Sequence, residues 1–186
     1  MATAVTASIP ILLVLLGALS RLIPHPPNFV ALGALALYSG ARLPRRFAWA
    51  VPLGALALSD FALDFGTGRR AVSLLRVTVY ATFLAIVFAG RLARTRTSPV
   101  LLGWLSISAS VTFFVTSNLA EWARDLIYPR TAAGLLLCYA AAIPFFWSTL
   151  AADLLGTAVF FSVDGLARRR AEVDALARRR RAVSIG

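Results

Sequence analysis

Few residues in this chain are equipped for chemistry, and they fall in small groups. Arg21, His25 and Asn28 stand close together, Asp60 and Asp64 are one helical turn apart, and Asn118 sits just before Glu121. Tyr80 and Asp153 stand alone in apolar surroundings. His25, Asp60 and Glu121 are of the types that move protons in general acid–base catalysis. No nucleophile stands beside a base at a recognisable spacing. A Gly-rich phosphate loop, a G-x-S-x-G elbow and an H-E-x-x-H pair are also missing. The single Cys138 and single His25 form neither an internal disulfide nor a Cys/His metal set. These residues suit recognition of a small polar ligand better than catalysis, with no metal or cofactor expected.

Apolar helices must position them. Hydrophobic residues make up 59% of the 186 and charged residues 15%, against about 45–50% and about 25% in soluble domains. That balance excludes a disordered chain and describes an all-α integral membrane protein. Crossing a bilayer takes about 20 apolar residues. Six spans are expected from the runs between charges. The first, residues 7–23, lacks the basic segment that precedes a signal peptide's apolar core, so it is read as a retained helix. Pro24, Pro26 and Pro27 then force a stiff loop. The second helix, Phe29–Ala41, is short and rich in small residues, which places it among other helices. The third is expected over Phe47–Phe65, with a loop at 66–70 where Gly66 and Gly68 stop the helix. The fourth covers Ser73–Gly90 and the fifth Pro99–Trp122. Thr131–Val163 is too long for one crossing. Pro144 divides it into an interfacial or partly re-entrant helix, Thr131–Ala142, and a sixth span, Pro144–Val163.

Charge sets the orientation. All 19 basic residues are Arg. With both termini in the cytoplasm, thirteen of them face inward and six outward, as the positive-inside rule requires. This bias supports an orientation with both ends inside. It also accounts for the Arg excess without nucleic acid as a partner. Residues 1–163 form one transmembrane domain, and 164–186 an Arg-rich cytoplasmic segment. In that segment Leu166, Val173, Leu176 and Ala177 fall near one helical face. Two readings stand: a basic amphipathic helix on anionic lipid, or a solvated tail that fixes topology.

With this orientation Arg21, His25, Asn28, Asp60, Asp64, Tyr80, Asn118 and Glu121 gather towards the outer face, as a site for a small polar solute requires. Each also has a plainer role. Arg21 neutralises Asp64 or Glu121, His25 bonds a backbone carbonyl, and Asp60 with Ser59 fixes helix packing. Asp153, at mid-depth, needs a partner: Ser148, Thr149 or a polar group on a neighbouring helix.

The stretch Arg21-x-x-Pro24-His25-Pro26-Pro27-Asn28-Phe29 followed by Ala34-Leu35-Ala36-Leu37-Tyr38-Ser39-Gly40 resembles an uncharacterised family of small bacterial membrane proteins. Pro52-Leu53, Ser59-Asp60, Tyr128-Pro129-Arg130-Thr131 and Ile143-Pro144-Phe145-Phe146 extend the likeness to about Phe161. That family is in turn similar to the substrate-binding S components of energy-coupling-factor transporters, a likeness strengthened by Pro52-x-Gly54-x-x-x-x-x-Asp60. The resemblance implies six helices and capture of a vitamin-like solute on the outer side. It also implies partnership with a transmembrane T component and two ATPase subunits. An accessory or scaffold protein is the alternative, and a membrane-embedded enzyme the third reading.

Overall fold

A computed structural model describes residues 2–65 and 73–184, with side chains described from 9 to 178. Among the described residues every regular element is a helix: α1 (Ala2–Leu22), α2 (Leu32–Arg42), α3 (Arg45–Ala48), α4 (Ala50–Asp64), α5 (Leu74–Gly90), α6 (Pro99–Ala123) and α7 (Ala132–Ser184). A 3-10 turn, Arg91–Ala93, extends α5. Leu, Ala, Val and Phe dominate the interiors, and short polar residues open the helices. Ser73 Oγ accepts the Arg76 N–H at 3.2 Å and Ser98 Oγ the Leu101 N–H at 3.2 Å, each satisfying one orphan donor of a first turn. Pro99 takes the first position of α6, where its missing N–H costs nothing.

Four stretches are long and apolar enough to cross a membrane: Arg45–Asp64, Leu74–Ala93, Pro99–Ala123 and Ala132–Arg178. Ile9–Leu22 is a shorter apolar helix. The chain runs back and forth between two ends of the bundle, one marked by Arg21, the other by Arg42.

The fourth and fifth helices lie where the sequence placed them, within a residue at each boundary. Three expectations are corrected. The second helix starts at Leu32 rather than Phe29. Asn28 adopts the left-handed region at φ 59°, and the Phe29 and Val30 N–H groups bond back to Pro26 and Asn28 carbonyls. That turn holds residues 28–31 out of the helix. The third helix is two: α3 and α4 part at Trp49, one turn before Pro52, whose ring and missing N–H disturb the turn before it. Pro144 does not divide the last stretch. Helix α7 runs unbroken through it from Ala132 to Ser184. Proline removes one hydrogen bond, whereas ending a helix in an apolar setting strands several backbone groups. The helix therefore absorbs the proline, and the expected pair of helices, Thr131–Ala142 and Pro144–Val163, is one. The loop expected at 66–70 lies outside the described residues.

Helix α2 sits at the centre. Its positions from Leu32 to Ala41 are buried except Tyr38, and it packs on α5 and α7. At about 1.5 Å per residue its 11 residues reach about 16 Å, half of a hydrocarbon core of about 30 Å. It starts beside Asp153 and ends where Arg42 Nε meets Asp164 Oδ2 at 2.8 Å. The second of the six expected spans is therefore too short to cross as a helix by itself, and it is not among the four stretches long and apolar enough to do so. Where α2 meets α5, Gly40 and Gly90 let the two backbones touch. A Cβ on Gly40 would strike the Val87 carbonyl oxygen, and one on Gly90 the Leu37 carbonyl oxygen.

Candidate functional site

Two groups of polar side chains and two adjoining cavities lie between the Arg21 end and the middle of the bundle. The first group ties α1, α4 and α5 together. Arg21 Nη1 reaches Asp60 Oδ1 at 2.7 Å, Ser59 Oγ at 2.5 Å and the Leu56 carbonyl at 3.3 Å. Asp60 Oδ2 accepts the Tyr80 hydroxyl at 3.1 Å and lies 3.2 Å from Arg76 Nε. Arg76 Nη2 reaches Asp64 Oδ2 at 2.6 Å. Among the described residues two guanidinium groups thus meet two carboxylates.

Arg21 therefore pairs with Asp60, correcting the expected pairing with Asp64 or Glu121. The sequence reading counted Arg76 only among the six outward arginines. It stands four residues before Tyr80 on an otherwise apolar helix, and a charge so placed turns inward. Because Asp60 holds two cations from two other helices, Asp60→Ala is expected to cost about 1–3 kcal/mol. That value is reduced because the arginines are about a quarter exposed. Chemical denaturation of the purified protein measures it. Asp60→Asn, which still accepts from Tyr80, should lose less. Equal midpoints for wild type and Asp60→Ala would show that the cluster contributes no stability.

The second group surrounds Asp153, which is 2% exposed. Its Oδ1 accepts the Ala34 N–H at 3.1 Å and its Oδ2 the Ser110 hydroxyl at 2.9 Å. The Gly33 N–H is turned to the same carboxylate. The partner is thus the neighbouring helix and a backbone, not Ser148 or Thr149. Thr149 donates instead to the Asn28 and Phe145 carbonyls. Ala31, at the head of α2, offers no side-chain cap. Asp153 supplies from α7 the acceptor oxygen that an N-terminal Asp or Ser supplies locally elsewhere. Gly33 is needed there, since a Cβ would collide with the Asp153 carboxylate. Ser110 was missed by the sequence reading. Its signal is the Ser106/Ser110 pair one turn apart, matched by Asp153/Thr157 on α7, with Thr157 donating to Ser106 at 3.4 Å.

The first cavity, about 170 Å³, lies between these groups and is lined by Arg21, Asn28, Gly33, Thr149 and Asp153 with an apolar wall that includes Leu56, Phe83, Ile86 and Phe113. The second, about 250 Å³, is lined by Asn28, Asn118, Glu121, Ser117, Phe114 and Phe146 among others. Both share Asn28, Val79, Phe113 and Thr149, so they adjoin at the turn before α2. Of the residues singled out from the sequence, Arg21, Asn28, Asn118, Glu121 and Asp153 line this space. Asp60, Asp64 and Tyr80 form the ion cluster beside it and line neither cavity. His25 also lines neither; its Nδ1–H donates to the Pro26 carbonyl at 2.7 Å. Glu121 pairs with Arg124 at 2.6 Å, and Asn118 Nδ2 donates to the Phe114 carbonyl at 2.7 Å. Among the described residues no cluster of His, Cys, Asp and Glu is arranged to hold a metal.

Residues 2–176 match the family of unknown function DUF6580, and the chain belongs to that family. No curated protein and no solved structure matches it.

Proposed function

We propose that this DUF6580 member is a membrane-embedded binding subunit for uptake of a small solute. One observation carries the reading. Two adjoining cavities meet at the Asn28 turn, and the polar groups that line them come from α1, the turn, α6 and α7. Ligand sites combine an apolar lining with a few convergent polar groups in this way. In this reading the Arg21 end lies on the outer side of a bacterial cytoplasmic membrane and both termini lie in the cytoplasm, an orientation that the Arg distribution supports. A solute enters past the 24–28 loop and rests above the head of α2. The sequence contains no nucleotide-binding motif, so the energy for uptake comes from separate subunits. The likeness to S components supports a T component and ATPases in that role.

The test is gentle extraction of the native protein, followed by mass spectrometry of bound small molecules and proteins. Wild type should carry a solute. Val79→Trp, which fills the space common to both cavities, should fold and come out empty. A wild-type protein with neither solute nor energising subunits overturns the proposal. In that case the accessory reading gains. The observation favouring it is the stretch of α7 past Asp164, where Leu166, Val173 and Leu176 are exposed among arginines. That reading requires deletion of residues 166–186 to release a bound partner or lipid.

A further inference from the structure

We propose that the solute held beside Arg21 is a small carboxylate with an apolar body. This rests on the reading of the cavities as a solute site and adds the chemical class. The argument turns on which hydrogen-bonding groups at the cavity wall are already used. Both carboxylates that line the space are supplied from within the chain. Asp153 receives Ala34, Gly33 and Ser110 donors, and Glu121 is paired with Arg124. Neither is left waiting for a cation. Arg21 is different. All its contacts are made by Nη1, and among the described residues Nη2 and Nε have no partner. A guanidinium has five N–H donors in a planar fork and no acceptor. In the first cavity the charged lining groups are Arg21 and Asp153, and of the two it is Arg21, a donor, that has capacity to spare, so a charged ligand there must bring acceptors.

The charge balance agrees. Arg21 already has Asp60 as its counter-ion at 2.7 Å, so it is held in place without needing a further anion for folding. Its outward edge offers a paired, charge-assisted contact of the kind that carboxylates accept. The facing wall is apolar, with Phe83, Ile86 and Phe113 able to cover a hydrocarbon body. At about 170 Å³ the first cavity holds only a few non-hydrogen atoms beyond the carboxylate, which excludes large conjugates from it.

The experiment uses the full chain in lipid nanodiscs and three probes with a five-carbon chain: pentanoate, its isosteric amide pentanamide, and the cation pentylamine. Binding is read by titration calorimetry and by the shift in unfolding temperature. Pentanoate should bind about tenfold or more tightly than the neutral amide, since a hydrogen bond to a charged group outweighs a neutral one. Pentylamine should not bind. Arg21→Lys keeps a cation for Asp60 but loses the second pair of donors. It should keep its unfolding temperature within a few degrees and lose the preference for pentanoate.

Tighter binding of pentylamine or pentanamide overturns the carboxylate assignment and leaves the solute-site reading standing, as does a neutral or cationic metabolite trapped in the native protein. Pentanoate binding unchanged in a folded Arg21→Lys protein overturns Arg21 as the recognising group. No response to any probe, together with no trapped metabolite, overturns both readings.

Discussion

Replacing Asp153 with Ala should destabilise the protein by about 3 kcal/mol or more, the larger of the two strongest effects expected. The cost follows from what the carboxylate holds. It accepts the Ala34 N–H at the head of α2 and the Ser110 hydroxyl from α6, and it is 2% exposed. Loss of an N-terminal cap costs about 1 kcal/mol, up to about 2. Each buried donor left without an acceptor adds about 1–3 kcal/mol. No other side chain is placed to take over, because Ala31 is apolar and a Gly33 side chain has no room. Asp153→Asn keeps one acceptor oxygen and so should lose roughly half as much. Thermal and denaturant unfolding in detergent measure both. An Asp153→Ala protein that unfolds at the wild-type midpoint would refute the capping role. The same variant separates two functions of the residue. If capping is its whole part, Asn should restore about half of the lost stability and all of the solute binding.

Asp153 also shows what could be read in the sequence and what could not. Its need for a partner was legible, since a lone acid in an apolar helix must be satisfied. Which partner was not legible, because Ala34 lies 119 positions away and enters through its backbone, which carries no sequence signal. The fourth and fifth helices were legible to within a residue because Ser73 and Ser98–Pro99 announce their starts. Pro144 misled for a physical reason. Its local preference to end a helix is outweighed by the cost of stranding backbone groups in an apolar setting. The first turn of α2 was misjudged because Phe29-Val30-Ala31 is apolar, whereas the left-handed Asn28 just before it commits the backbone to a turn. At the site, residue types were a good guide to importance and a poor guide to pairing. Asp60 was singled out with Arg21, yet the second cation at Asp60, Arg76, entered only the count of outward charges. Sequence spacing shows which residues share a helix face. It does not show which face meets which.

The second large effect belongs to the α2–α5 contact. Gly40→Val or Gly90→Val should each destabilise by about 3 kcal/mol, at the upper end of the range for overpacked sites. The reason is what the new side chain would meet. At Gly40 it is the Val87 carbonyl oxygen and at Gly90 the Leu37 carbonyl oxygen, both main-chain atoms that cannot rotate aside. Relief requires the two helices to separate. Helix α2 is not free to move, since Asp153 holds its head and Arg42 with Asp164 its end. Separation would also open the layer formed by Leu37, Phe83, Ile86 and Val87, which are at most 5% exposed. Gly103→Ala is the matched control. Nothing lies within 4 Å of a Cβ there, so the change should be neutral or stabilising by up to about 1 kcal/mol through helix propensity. The two large variants report one contact. Once either has forced the helices apart, the other has less to disturb. The double variant should therefore cost less than the sum of the singles, with a coupling of about 1 kcal/mol or more. Strict additivity would mean that Gly40 and Gly90 act at separate places, and the close crossing would lose its role in holding α2 against α5.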